Sequence, residues 1–272
     1  MLNSKSTKLG IFSWFGFDLP LPERLRLIKE AGFTHTSLWW GNDGDEYVPV
    51  NKHESVETAR ATGLEIDNFH VPFLRCCDLW SNNESLRKAL VEDHFRWIED
   101  CAHHRIPTMV FHITRGWQPV DSIPAGLDSI AAIIGKAEEC GIKLAVENTR
   151  QIDKLELIFN EFQSDFFKIC FDTSHFWLYS RENPEPFFKL GKHIITTHIS
   201  DNDETEDRHW IPGLGKTDWN LITKILRNGR YNGLIHLELL RQLPGDNDSP
   251  EVFLERAYKK GLELLQSPEN HQ

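Results

Sequence analysis

Six short apolar runs in this chain each end in a residue that can bind a metal ion. The six terminal residues are His70, His112, Glu147, Asp172, His198 and Glu238. Strand-like runs are ordinarily bounded by turn-forming residues such as glycine, proline and asparagine. A closed parallel barrel brings the carboxyl ends of all its strands to one face, and barrel enzymes carry their active sites there. The pattern therefore predicts an enzyme whose reaction uses a metal ion.

The last four of these residues make the strongest metal site. Glu147, Asp172, His198 and Glu238 end the predicted fifth, sixth, seventh and eighth strands. Three carboxylates and one imidazole suit Zn²⁺, Mn²⁺ or a similar divalent ion. Buried carboxylates raise one another's pKa, and a metal ion compensates for their repulsion. For any one position the alternative is a polar residue that faces solvent at a strand end.

A second group of residues lies close to the first in the predicted arrangement and could hold further metal ions or contact substrate. His70 and His112 end the predicted third and fourth strands, and His175 follows Asp172 by three positions. Asp207 and His209 lie in the loop after the seventh strand. The full group is His70, His112, His175, Asp207 and His209. Direct metal binding and contact with substrate both remain open for these five residues.

The elements that must position these residues alternate along the whole chain. We predict eight strand-like and eight helix-like segments, from a first strand at 8–14 to a last helix at 249–265. Repeated strand–helix units imply parallel pairing with right-handed crossovers. The strands at 142–147 and 166–172 are apolar on both faces, as a sheet covered by helices requires. The sequence predicts an α/β fold, a single (β/α)8 TIM barrel, with residues 1–272 forming one domain.

Composition narrows the class of function. The net charge of −11 argues against non-specific binding of nucleic acid, which needs lysine and arginine at the phosphates. No apolar run approaches the roughly 20 residues that span a bilayer, and the first twelve residues contain no apolar h-region of the kind a secretion signal has. The five cysteines show no CxxC spacing, which favours reduced thiols. We therefore expect a cytoplasmic protein without a membrane partner.

The sequence resembles the xylose isomerase-like TIM-barrel superfamily, which contains sugar and sugar-phosphate isomerases and epimerases and endonuclease IV. The resemblance runs from the first strand to the last helix. It rests on AVEN with Glu147, FDTSH with Asp172 and His175, THISDND with His198, DRHWIPGLGKTDW at 207–219, and HLEL with Glu238. The resemblance implies the fold. It does not specify the reaction, because members of this superfamily use the same metal site for several reactions.

In the epimerase branch the resemblance implies one metal ion, zinc or manganese, held by Glu147, Asp172, His198 and Glu238. The implied substrate is a small sugar or polyol. Glu147 and Glu238 would be the catalytic pair, one removing a proton beside a carbonyl and the other returning one through an enediolate. His175 would contact the substrate oxygens, and a homo-oligomer is compatible with this branch.

Aromatic residues at the first two strand ends support a sugar substrate. Trp14 and Trp39 lie where the rings could pack against the C–H faces of a sugar and exclude water. The alternative is ordinary packing of the barrel and its helices. We predict that both tryptophans bind substrate.

In the endonuclease IV branch the resemblance implies three zinc ions and hydrolysis of a phosphodiester. All nine metal-capable residues named above match that ligand pattern. The early loops carry no basic, aromatic wedge that would enter duplex DNA, and the segment from His198 to Asp207 is short. Some epimerases have an arginine after the seventh strand, where this chain has Asn202-Asp203-Glu204; this disfavours a phosphorylated or strongly acidic substrate. A third alternative is a barrel that binds metal without catalysis.

Overall fold

Eight parallel strands form the sheet in the computed structural model, which describes residues 8–41, 51–241 and 247–266. The strands are Leu9–Phe12 (β1), His35–Trp39 (β2), Glu65–His70 (β3), Thr108–Phe111 (β4), Lys143–Glu147 (β5), Phe167–Asp172 (β6), Ile194–His198 (β7) and Ile235–Leu237 (β8). From β1 to β7 each strand pairs with the next one in sequence, and β1 also pairs with β8. A parallel bridge from Ile199 to Leu237 closes the ring between β7 and β8. The predicted (β/α)8 barrel is therefore confirmed.

Helices connect the strands on the outside of the barrel. They are Leu21–Glu30 (α1), Lys52–Ala61 (α2), Glu84–His104 (α3), Ile123–Cys140 (α4), Ile152–Glu161 (α5), Thr173–Tyr179 (α6), Glu185–Leu190 (α7), Trp219–Asn228 (α8) and Pro250–Gln266 (α9), with short 3-10 helices at Cys76–Trp80 and Gly191–His193. Side-chain caps begin several of them: the carboxylate of Asp218 accepts from the backbone N–H groups of Asn220 and Leu221. Within the described residues, none of these helices is both long and apolar enough to span a membrane.

The connection after β6 differs from the prediction. We predicted one helix there, at 185–193, whereas the structure has α6 before α7. The short helix α6 begins directly at the strand end because Asp172 caps it, accepting a 2.6 Å hydrogen bond from the backbone N–H of His175. Periodicity does not reveal a helix of this length, since two turns give too few apolar repeats.

Polar side chains also meet inside the barrel, below its mouth. Ser37 Oγ lies 2.8 Å from Nε2 of His236, and Thr196 Oγ1 donates to Asp67 Oδ2 at 3.1 Å. These contacts join strands that are not neighbours in the sheet, so they cross the barrel interior. Gly10 lies opposite His236 in the β1–β8 register, and a Cβ at this position would overlap the imidazole. We refer to Ser37, Asp67, Thr196 and His236 as the interior network.

Candidate metal centre

Four donor side chains from β5 to β8 converge at the mouth of the barrel. One donor atom each from Glu147, Asp172, His198 and Glu238 lies within 4.8 Å of the others. Nδ1 of His198 is 2.8 Å from Oε2 of Glu147 and 3.0 Å from Oε2 of Glu238. The first three residues are buried and Glu238 is partly exposed. This group, the four-ligand site, has the composition that we predicted from the strand ends.

Two further histidines contact the outer side of the Glu147 carboxylate. Nε2 of His70 lies 3.3 Å from Oε2, and Nε2 of His112 lies 3.2 Å from Oε1. His70 ends β3, and His112 follows the last residue of β4. Together with Glu147 they form a second group whose donor atoms lie within 4.8 Å of one another. Glu147 thus belongs to both groups and could bridge two ions.

The three remaining predicted residues form a group of their own beside Glu147. Nε2 of His175 and Nε2 of His209 lie 3.1 and 3.0 Å from the same atom, Oδ2 of Asp207. Nδ1 of His175 is 3.0 Å from Oε1 of Glu147, which joins this group to the rest. We call His175, Asp207 and His209 the outer triad. The structure therefore brings all nine predicted residues together, while their individual roles remain predictions.

The orientation of the imidazoles leaves one nitrogen of several rings directed at a carboxylate. Nδ1 of His70 lies 3.0 Å from the carbonyl of Val71, and Nδ1 of His209 lies 3.2 Å from that of Glu238. A histidine that donates Nδ1–H to a backbone carbonyl keeps a lone pair on Nε2, which is how metal-binding histidines are commonly held. In both residues Nε2 is the atom that faces the carboxylate.

A short amide bridge holds the ends of β5 and β6 together. The side chain of Asn148 accepts from the backbone N–H of Asp172 at 2.8 Å and donates to its carbonyl at 2.9 Å. Asn148 follows Glu147 directly, so the bridge fixes two of the four ligands relative to each other. This role of Asn148 could not be predicted from the sequence, because the partner of a single asparagine is not visible without the register of the strands.

Asp201 organises the loop that carries Asp207 and His209. Its carboxylate accepts hydrogen bonds from the backbone N–H groups of Gly213, Gly215 and Thr217 at 2.8, 3.0 and 3.0 Å. Antiparallel backbone bonds between Asp201 and Trp210 close the loop at its base. A buried carboxylate that accepts several backbone N–H groups is well satisfied. Asp201 is therefore a structural carboxylate, distinct from the ligand candidates.

Burial and mutual repulsion shape the charges of the four-ligand site. Burial raises the pKa of Asp172 to about 7, with His175 opposing the shift and Glu147 adding to it. Burial also acts to raise the pKa of Glu147, but facing His112 and His198 lower it well below the usual range. Carboxylates this close compete for the same positive partners, and a divalent ion would satisfy them together.

Unpartnered atoms show that a metal ion fits the site. Nε2 of His112, Oδ2 of Asp172 and Nδ1 of His198 are buried and make no hydrogen bond to any residue that the structure describes. The two imidazole atoms lie 3.2 and 2.8 Å from oxygens of Glu147 without forming a hydrogen bond. Buried polar atoms are nearly always paired. Oxygen and nitrogen donors in this mixture suit a divalent ion of the zinc or manganese type.

A cavity of about 200 Å³ opens above these residues. The predicted substrate-binding residues Trp14 and Trp39 both line it, as do Glu147 and Glu238. Its further lining residues are Phe12, His70, Phe73, His112, Arg115, Gly116, Thr149, Arg150, His175, Tyr179, Asp207, His209 and Leu240. The cavity is large enough for a small polyol and combines aromatic walls with a polar floor.

Two arginines in the cavity wall were not predicted from the sequence. Arg115 lies three positions after His112, and Arg150 lies three positions after Glu147. His175 stands at the same offset from Asp172 and was recognised because histidine can bind metal. The offset itself is the signal that would have found the arginines, since it marks the first turn beyond a strand end.

Comparison with known sequences identifies the family of the chain. A sequence model described as xylose isomerase-like TIM barrel matches residues 25–267. The uncharacterized protein y4fM of Sinorhizobium fredii is 25% identical over 257 residues, which cover 82% of each chain. The uncharacterized protein MJ1614 of Methanocaldococcus jannaschii is 30% identical over 118 residues, 41% of this chain and 44% of that protein.

Solved structures share the fold over nearly the whole chain. An L-ribulose 3-epimerase superposes with a TM-score of 0.74 at 13% identity, covering 98% of this chain and 100% of that one. A D-tagatose 3-epimerase-like protein gives 0.73 at 23% identity, with 96% and 99% covered. A D-psicose 3-epimerase determined in the presence of D-fructose gives 0.70 at 18% identity, with 93% and 96% covered. At these identities the likeness establishes the fold, and the matched sequence model shows that the chain belongs to the xylose isomerase-like TIM barrel family.

Proposed function

We propose that this protein is a divalent-metal-dependent isomerase or epimerase of a small sugar or polyol. The observation that carries the proposal is the convergence of Glu147, Asp172, His198 and Glu238, with both glutamates lining the cavity. The similar solved structures include sugar 3-epimerases, and this supports the reaction class by analogy of fold.

The two glutamates supply the acid–base chemistry in this proposal. A divalent ion at the four-ligand site would polarise a substrate carbonyl and stabilise the negative charge that develops on its oxygen. Glu147, at the end of β5, and Glu238, directly after β8, both approach Nδ1 of His198. One carboxylate accepts the proton from the carbon beside the carbonyl, and the other delivers a proton to the product.

The aromatic walls complete the substrate site. Trp39 stacks on His70 at 5.4 Å between ring centres, and Phe73 stacks on His112 at 4.7 Å. These contacts hold the rings against the candidate ligands. Apolar walls next to a charged floor exclude water, which strengthens the electrostatic interactions of the site. They also offer packing surfaces for the C–H groups of a sugar.

A panel of ketoses and aldoses, assayed with the metal-loaded protein in deuterated water, tests the reaction. Proton transfer predicts that solvent deuterium enters the carbon that is isomerised or inverted. Glu147→Gln and Glu238→Gln should each reduce turnover by roughly 10²–10⁴-fold. Glu65→Gln is the matched control, because Glu65 lies on the exposed opposite end of β3. Full turnover by the Glu147→Gln/Glu238→Gln double variant would contradict the mechanism.

A second candidate, a phosphodiester hydrolase with three zinc ions, is favoured by a specific observation. His70 and His112 direct imidazole nitrogens at the carboxylate of Glu147, and the histidines of the outer triad direct theirs at Asp207. The donors therefore form three groups: these two and the four-ligand site. Three zinc ions in each chain, together with cleavage of DNA at an abasic site, would replace the isomerase proposal. Tight metal binding without turnover on either substrate class would instead support a non-catalytic metal-binding barrel.

A further inference from the structure

Two cationic side chains in the cavity wall form no ion pair with any carboxylate in the described part of the chain. Among the residues that the structure describes, neither the guanidinium of Arg115 nor that of Arg150 makes an ion pair or a hydrogen bond, although both line the cavity. Arg150 is half-buried and Arg115 is exposed, so both guanidinium groups are accessible to a ligand in the cavity. A neutral polyol does not require them.

The guanidinium of Arg150 is held in place by aromatic rings. It lies 3.8 Å from the ring centre of Trp117 and 5.1 Å from that of Tyr179. Arg150 is half-buried, whereas Trp117 is 69% exposed. A guanidinium that lies over an aromatic ring keeps the N–H groups in its own plane free to donate. The ring contacts therefore orient the guanidinium of Arg150, while its N–H groups stay available to a ligand.

Cross-links between two loops place both arginines on the same wall. The side chain of Gln151 donates to the carbonyls of Gly116 and Gln118 at 3.1 and 2.9 Å. The hydroxyls of Thr114 and Thr149 lie 2.7 Å apart. These bonds join the loop after β4, which carries Arg115, to the loop after β5, which carries Arg150. The two loops that carry the positive charges are consequently joined into one surface.

We infer that the substrate carries an anionic group, a carboxylate or a phosphate, which Arg150 and Arg115 bind while its hydroxyl-bearing end faces the four-ligand site. Arginine recognises both anions by paired N–H donors in one plane. The inference rests on the proposed function and specifies its substrate class. The residues Asn202-Asp203-Glu204 after β7 supply no arginine, and the loops after β4 and β5 supply two in their place.

Binding of matched ligands to the metal-loaded full chain tests this inference without requiring turnover. The probes are xylitol, D-xylonate and xylitol 5-phosphate, which share a carbon chain and differ in charge. Affinities are measured by calorimetry for the unaltered protein, for Arg150→Met and Arg115→Met, and for Arg96→Met. Arg96 is the matched control because it lies on α3, pairs with Asp93 and does not line the cavity.

We expect Arg150→Met and Arg115→Met each to weaken binding of at least one anionic probe by about 10- to 100-fold, the range of a charge-assisted hydrogen bond. Xylitol binding should change less than about twofold, since it makes no such bond. Comparison of xylonate with the phosphate distinguishes the two anions, and Arg96→Met should alter neither.

Equal losses for neutral and anionic probes would overturn the inference and assign Arg150 to packing with Trp117. Unchanged affinity for the anions, or no binding of either anion at millimolar concentration, would overturn it as well. A charge-dependent loss without sugar isomerisation would refute the proposed reaction alone, because the anion site would then stand without it.

Discussion

The mouth of the barrel and the interior network contain the same kinds of side chain in opposite electrostatic states. At the mouth, burial opposes the charged imidazole, but Asp172 and Asp207 raise the pKa of His175 well above its usual value. In the interior, burial lowers the pKa of His236 to about 4, although Asp67 lies 3.9 Å away. One distant carboxylate does not offset desolvation, whereas several close ones do.

This difference identifies which polar cluster can hold an ion. The interior network offers one carboxylate and one imidazole, with hydroxyls as the remaining partners. The four-ligand site offers three carboxylates and an imidazole from consecutive strands. Structural and catalytic zinc ions are ordinarily held by at least three protein ligands. Burial of titratable groups alone is therefore not a sign of function; the convergence of donors at the carboxyl ends of the strands is.

The largest expected effect comes from removing one charge in each region. Asp172→Asn should weaken binding of Zn²⁺ or Mn²⁺ by more than about 100-fold, beyond the effect of altering a residue that only supports a ligand. Asp67→Asn makes the same chemical change in the interior network and should leave the affinity within about twofold. Metal titration with a competing chelator measures both. Comparable losses in the two variants would remove the distinction between the regions.

A substitution that overfills the barrel interior is expected to lower the stability of the protein and to leave its metal affinity unchanged. Gly10→Ala places a methyl group against His236 and should lower the free energy of unfolding by about 1–3 kcal/mol. Metal affinity should not change, since Gly10 lies away from the four-ligand site. Urea unfolding of the metal-free protein measures the effect.

The control for this prediction is a double-mutant cycle with His236→Ala, which removes the clashing ring. The two substitutions should be less destabilising together than the sum of their separate effects. Strict additivity would show that His236 does not occupy the space that Gly10 leaves.

A smaller effect is expected from pH. Since the pKa of His236 is lowered from 6.5 to about 4 in the folded protein, the unfolded chain binds the proton first as pH falls. Stability is therefore full above pH 6.5 and decreases between these two pKa values. His236→Gln should remove on the order of 1–2 kcal/mol of the loss between pH 7.5 and 5. Identical pH profiles of unfolding for the variant and the unaltered protein would contradict this.

Much of the fold could be predicted because the sequence repeats one local pattern. Alternating strand and helix segments specify parallel pairing, and the strand ends then identify the mouth. Six of the nine ligand candidates were recognisable because histidine, aspartate and glutamate are conspicuous at the end of an apolar run. The other three, His175, Asp207 and His209, follow the ends of the sixth and seventh strands. The helix α6 was missed since its start depends on a cap by Asp172, itself a ligand candidate.

The supporting contacts of the site could not be read from sequence, because they are contacts between distant segments. Asp201 is one acidic residue among several near 201–207, and only the folded loop shows that it accepts backbone N–H groups from 213–217. In the sequence nothing distinguishes Arg150 from any other loop arginine, since its contact with Trp117 is visible only in the structure. Residue type predicts potential ligands, whereas orientation and neutralisation require tertiary structure.

We propose that the four-ligand site holds a divalent metal ion. Anomalous scattering from crystals of the protein, recorded on both sides of the zinc and manganese absorption edges, is the test of this proposal. We expect a strong anomalous peak among Glu147, Asp172, His198 and Glu238, which Asp172→Asn removes and Asp67→Asn retains. A fully ordered site without any peak after soaking in both metals, or a peak only elsewhere in the protein, would contradict it.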